Sequence, residues 1–117
     1  CLDGDGSLLM HLGSMATIGF FGNKNFKHIL FNNNSHESVG GQTTNARKIN
    51  FEKLSKGLGY KKYILIKNKD HFASKLKIFF KANGPVFMEI LIDQGSVKNL
   101  MRPKNLLKIK NNFIKKN

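Results

Sequence analysis

The chain of 117 residues carries 20 Lys and Arg against 7 Asp and Glu, a net charge of +13, with 40% hydrophobic residues and one cysteine. That length suits one domain with one core, and no apolar run reaches the roughly eighteen residues of a transmembrane helix. With acids at Asp3 and Asp5 the first residues are not expected to be a signal peptide, and a lone cysteine makes no internal disulfide and fits a reducing, cytoplasmic setting.

The positive charge comes mostly from scattered lysines without interleaved aromatics. It reads as a solvated surface rather than a nucleic-acid face. Cys1-Leu2-Asp3 reads as the end of a hydrophobic strand, and with no initiator methionine the chain is expected to be the C-terminal part of a longer protein. Gly4 and Gly6 flank Asp5 in a tight turn that allows close approach to a ligand. Ser7 is placed as the N-cap of a buried helix ending near Gly19 or Gly22, with Leu8, Leu9, Leu12, Met15, Ala16 and Ile18 at helical spacing. After a polar connection, residues 27–31 form a short strand.

Residues 34–49 show no apolar periodicity and contain Gly40-Gly41, Ser38, Thr43, Thr44 and His36-Glu37. A loop of that length inside a small domain is functional or disordered. Asn50 caps a second helix to Leu58, with Phe51, Leu54 and Leu58 on one face and Gly59 as the stop. Residues 60–67 form a strand. Asp70 starts a third helix to Asn83 with Phe72, Leu76, Phe79 and Phe80 inward, and Gly84-Pro85 breaks it. Residues 86–92 form the most apolar strand, as expected where both faces are covered. From Lys98 onward the chain is basic and without acids. Leu106, Leu107, Ile109, Phe113 and Ile114 fit a last amphipathic helix, read as packing on its own protein rather than on a membrane. Two parts result: residues 1–95, and a basic tail over 96–117.

The alternation of strands and helices predicts an α/β fold, a mostly parallel sheet with flanking helices. Asp5 and Asn33 stand 28 positions apart, a spacing that suits strand, turn, helix, loop and strand. Both then lie on the same rim, where such sheets bind ligands. A carboxylate, a carboxamide oxygen and a loop carbonyl near Ser35 are oxygen ligands for Mg2+ or Ca2+, and a ligand phosphate at the helix start would complete the shell. The residues alone equally allow a helix cap and an asparagine turn.

GDG followed by NN resembles the diphosphate-binding motif of thiamine-diphosphate enzymes. The fuller strings GDGSLLMHLGSMATIG and NNNSHESVGGQTT resemble the phosphonopyruvate decarboxylase family within them. Gly59-Tyr60, GPVFMEI and Arg102-Pro103 also fit, and the resemblance is loose beyond about residue 95. It implies an N-terminally truncated thiamine-diphosphate-binding domain, with thiamine diphosphate and Mg2+ as cofactors. It implies that Asp5, Asn33 and the Ser35 backbone oxygen bind the metal, and that Gly4, Gly6 and Ser7 hold the diphosphate. His36 and residues 38–42 would lie over the reacting centre, with His36 a catalytic candidate. Asn34 stands where relatives often carry Gly.

The implied activity is decarboxylation of a small 2-keto acid, phosphonopyruvate to phosphonoacetaldehyde. The partner it needs is a pyrimidine-binding domain bearing the activating glutamate, from a missing upstream part or a partner subunit, in a homo-oligomer of the full protein. A sulfopyruvate decarboxylase, a non-catalytic basic module for polyanions, and a fragment that has lost function are the other readings. Cys1 has no nucleophile context, no Cys/His cluster of metal-ligand spacing is evident, and His28 and His71 read as structural. His11 reads as a structural histidine or a contact near the cofactor.

Overall fold

The computed structural model describes residues 1–95, 99, 101 and 103–116. Its centre is a four-stranded parallel sheet of β1 (Leu2–Gly4), β2 (Lys27–Asn32), β6 (Val86–Leu91) and β5 (Lys62–Ile66), in that spatial order. The hairpin strands β3 (Ser35–His36) and β4 (Gln42–Thr43) form a separate antiparallel pair. Helices α1 (Asp5–Met10), α2 (Gly13–Phe21), α3 (Phe51–Gly57), α4 (Phe72–Lys81) and α5 (Leu106–Lys116) complete the described chain. The parallel α/β architecture expected from the alternation is the one observed.

Strand β6 explains why the core has two halves. Val86 through Ile90 are all buried, so successive side chains feed opposite faces of the sheet. Phe87 joins Leu8, Met15, Leu30, Phe51 and Tyr60 under α1, α2 and α3. Val86, Met88 and Ile90 join Ile64, Ile66 and Phe79 under α4. Phe87 is the aromatic hub of its half, with ring centroids 5.0 Å from His28, 5.6 Å from Tyr60 and 6.2 Å from Phe51.

Several local expectations are corrected. The first helix starts at Asp5 with Gly4 as N-cap, because the Ser7 hydroxyl donates to Asp3 Oδ1 at 3.0 Å instead of capping. It then breaks at His11-Leu12, where the His11 N–H closes a tight turn onto Leu8 O, and α2 restarts at Gly13. Of the two readings of residues 34–49, functional or disordered, the second is set aside: β3, β4 and two short 3-10 turns occupy them, and Gly40 and Gly41 close the hairpin at φ 121° and 78°.

Helix α4 begins at Phe72 rather than Asp70, since His71 adopts φ 62°, a left-handed conformation that cannot continue a right-handed helix. Phe72 and Phe80 are exposed, leaving Phe79 and half-buried Leu76 as the inward residues. In the tail, α5 forms over the expected residues, but Leu106, Leu107, Ile109, Phe113 and Ile114 are all exposed. Arg102 of the Arg-Pro pair, with residues 96–98, 100 and 117 of the tail, lies outside the described residues.

Candidate functional site

The parallel pairing of β1 with β2, Gly4 opposite Phe31, delivers Asp5 and Asn33 to the same C-terminal rim. There they line one cavity of about 500 Å3, together with Gly4, Gly6, Ser7, Ser35 and His36. Of the loop residues 38–42, Ser38 and Val39 also line it, whereas Gly40 and Gly41 do not. Gln42 lies in β4 beside His36, outside that wall.

Asp5 is 2% exposed, and among the described residues it makes no ion pair. Burying a carboxylate without a cation is costly, so this chemistry fits a bound cation. One of its oxygens, Oδ2, accepts the Thr44 hydroxyl. The same Thr44 donates its backbone N–H to the Asn34 carbonyl at 3.0 Å, tying the carboxylate side of the site to the asparagine turn. Thr44 also caps the following 3-10 turn, accepting from Ala46 N–H.

The asparagines form a tight turn as β2 ends. Asn33 Oδ1 accepts the Ser35 N–H at 3.0 Å and retains a second lone pair. The Asn33 carbonyl accepts from Gln94 Nε2 at 3.2 Å. Asn34 sits at φ 57°, the left-handed conformation that Asn tolerates better than most side chains. Its Oδ1 and the Ser35 hydroxyl are buried with no hydrogen-bond partner among the described residues.

His36 packs directly over Gly6. A Cβ on Gly6 would come within 2.3 Å of His36 Nδ1, so only glycine leaves room for the imidazole there. The neighbouring Glu37 accepts from Gly95 N–H at 2.9 Å and so braces the loop. The Ser7 hydroxyl is held by Asp3, and its N–H, in the first turn of α1, has no partner within the helix.

The structure also gathers a cluster that the sequence did not show. Cys1 Sγ, Asp3 Oδ2 and His28 Nε2 lie within 4.8 Å of one another, because Cys1, just before β1, and Asp3 on it lie beside His28 on β2. Burial lowers the His28 pKa, outweighing the hydrogen bond and charge of Asp3, which raise it. The 2.9 Å contact is therefore a hydrogen bond from a neutral imidazole rather than an ion pair. The carboxylate takes Nε2–H, which leaves Nδ1 to accept the Tyr60 hydroxyl at 2.9 Å. Burial, and then the Asp3 charge, raise the Tyr60 pKa, keeping that proton in place. A Tyr-His-Asp set with all three bonded is structural, which agrees with the reading of His28. His71 is exposed at the start of α4, and His11 is exposed rather than buried in a helix.

Three features escaped sequence reasoning: the role of Thr44, the Cys1-Asp3-His28 cluster, and Glu89 beneath the asparagines. Only the first left a local trace, a hydroxyl residue immediately before a short helical turn.

Residues 1–90 match the family model described as "Thiamine pyrophosphate enzyme, C-terminal TPP binding domain". The phosphonopyruvate decarboxylase of Streptomyces viridochromogenes is 34% identical over 103 residues, 88% of this chain and 26% of that protein. That of Streptomyces hygroscopicus is 33% identical over the same length and the same shares. The sulfopyruvate decarboxylase subunit beta of Methanocaldococcus jannaschii is 44% identical over 59 residues, 50% of this chain and 31% of that subunit. The chain thus spans about a quarter of the length of the first two relatives. No helix among the described residues is long and apolar enough to cross a membrane.

Proposed function

Since the chain belongs to the thiamine pyrophosphate enzymes, through their C-terminal TPP-binding domain, we propose that it supplies the cation and diphosphate half of a decarboxylase acting on a small 2-keto acid. The observation that carries this reading is the buried, unpaired Asp5 carboxylate sharing a cavity with Asn33 and Ser35. The cation would be Mg2+, and the Asp5 carboxylate, Asn33 Oδ1 and the Ser35 backbone oxygen would hold it beside the diphosphate. Backbone N–H groups of Gly4, Gly6 and Ser7 hold the diphosphate. Bound there, thiamine diphosphate would supply the electron sink for loss of CO2.

The chain's own share is orientation and proton handling. Thr44 fixes the Asp5 carboxylate. His36, on the cavity wall over Gly6, faces the reacting end and serves as the proton donor or the contact for the substrate's second anionic group. Phosphonopyruvate is the substrate that similarity over most of the chain favours, giving phosphonoacetaldehyde in a carboxy-lyase reaction. Sulfopyruvate is the second reading, favoured by the higher identity of the shorter match. The glutamate that activates the aminopyrimidine comes from a pyrimidine-binding domain elsewhere in the assembly. Relatives named as a subunit beta support a partner chain. Residues 1–95 form the binding part and 96–117 the basic tail, in a cytoplasmic enzyme.

Calorimetric titration of the 117-residue chain with thiamine diphosphate is the test. Weak binding is expected with Mg2+ and none without it, and Asp5→Ala should abolish it. Metal-independent binding, or binding that survives Asp5→Ala, would overturn the reading. Phosphonopyruvate turnover should appear only with the pyrimidine-binding partner. On the complete enzyme, a panel of phosphonopyruvate and sulfopyruvate separates the two substrates.

A further inference from the structure

Beneath the asparagine turn lies a buried carboxylate that the site does not use directly. Glu89 on β6 is 7% exposed, faces the α1–α3 side of the sheet and makes no ion pair among the described residues. Its Oε1 accepts from Asn32 Nδ2 at 2.7 Å and its Oε2 accepts the Tyr63 hydroxyl at 2.5 Å. Burial, and then that bond to Glu89, raise the Tyr63 pKa and keep the phenol a donor. Neither Asn32, Tyr63 nor Glu89 lines the cavity.

The chemistry of this chain of bonds has a direction. A carboxylate only accepts, so it selects the nitrogen end of the Asn32 amide and leaves Oδ1 on the other side. There Oδ1 accepts the Asn34 N–H at 3.1 Å. With the amide reversed, an oxygen would face the carboxylate and an NH2 would face an N–H, and both contacts would repel. The Asn34 N–H opens the turn that holds Asn34 at φ 57° and carries Asn33 and Ser35 on either side. The Asn32 carbonyl is held as well, accepting from Ile92 N–H at 3.0 Å. The orientation of one amide is thus set from β6 and β5 and expressed at the rim.

We propose that Glu89 is a positioning residue for the cation turn. Through the Asn32 amide it holds Asn34 left-handed and so sets the turn that presents Asn33 Oδ1 and the Ser35 carbonyl. This rests on the reading of the cavity as a cation and diphosphate site. Partners one shell removed from a metal typically shift its affinity by about 10- to 100-fold.

The probes are Mn2+ and inorganic pyrophosphate, with bound Mn2+ read by electron paramagnetic resonance and amide hydrogen exchange read at Asn34. Glu89→Met removes both acceptors at similar volume. It is expected to weaken Mn2+ binding about 10-fold or more and to speed exchange at Asn34. Glu89→Gln keeps an oxygen toward Asn32 and is expected to restore both. If Glu89 only fills the core, Glu89→Met binds Mn2+ as the wild type does, or leaves Asn34 exchange unchanged, and either result overturns the proposal. Should Glu89→Met fail to fold, Asn32→Ala deletes the Oδ1 acceptor directly. It is expected to reproduce both effects, and wild-type binding there also overturns the proposal. A wild-type chain that binds no Mn2+ with pyrophosphate sinks the site reading and the inference with it. A wild-type chain that binds, with variants that match it, sinks the inference alone.

Discussion

Thr44 joins the two halves of the site with a single side chain and its own backbone. Its hydroxyl holds Asp5 and its N–H holds the Asn34 carbonyl. Thr44→Val keeps the shape and the backbone bond but removes the donor to a buried carboxylate. It should cost about 1–3 kcal/mol of stability, measured by denaturant unfolding. It should also weaken Mg2+-dependent binding of thiamine diphosphate about 10- to 100-fold by calorimetry. An unchanged affinity would mean that Asp5 needs no fixed orientation. His28 gives a prediction of a different kind. Burial lowers its pKa in the folded state, while in the unfolded chain it titrates near 6.5. The unfolded state therefore takes up the proton first as pH falls. The stability that this group contributes is complete above about pH 6.5 and is lost as pH drops toward the lowered folded value. Thermal melts from pH 8 to pH 5 should show this decline in the wild type and a shallower one in His28→Gln. Asp5, Asn33, Ser35 and Gly6 were legible in the sequence because a short motif names them and spacing puts them on one rim. Thr44 and Glu89 were not, because their partners are 39 and 57 positions away and no local pattern encodes such contacts.

Elements were legible where one local signal dominated. Helix α3 has an Asn50 cap whose side chain accepts Lys53 N–H at 2.9 Å, an apolar face and a left-handed stop at Gly59. Strand β6 is an uninterrupted buried run. The first helix was misread because its expected cap, Ser7, is drawn away by Asp3 on the preceding strand. That competition depends on tertiary geometry rather than on sequence spacing. Gly19 shows how closely the resulting α2 packs. A Cβ there would lie 1.6 Å from the Leu58 carbonyl oxygen, and the reciprocal contact at Gly59 is with Gly19 backbone. In an exposed helix Gly→Ala is stabilising by up to about 1 kcal/mol. Here the added methyl must push α2 off the end of α3, at a cost of about 1–3 kcal/mol. Gly19→Ala should therefore lower the unfolding midpoint in urea. A raised midpoint would show that the two elements can separate freely.

At the scale of the whole molecule, charge and packing divide the chain in the same place. Seven of the 20 Lys and Arg lie beyond residue 95, with no acid among them. The described side chains of α5 are all exposed, whereas both halves of the core are built within residues 8–90. Stability follows buried apolar area, at about 25 cal/mol per Å2. A segment whose described apolar side chains are all exposed contributes little to it, and a concentration of like charge opposes compaction. Removing residues 96–117 should leave the melting temperature of the remaining domain within about 2 °C of the full chain, since 1 kcal/mol moves a domain of this size by about 4–8 °C. It should also leave Mg2+-dependent diphosphate binding intact, because no described residue of the tail lines the cavity. A larger fall in melting temperature would make the tail an integral layer of the fold and move the domain boundary beyond α5. Loss of binding at unchanged stability would instead assign the tail's positive charge to attraction of the diphosphate, a contribution that salt near 1 M would erase because the Debye length there is about 3 Å.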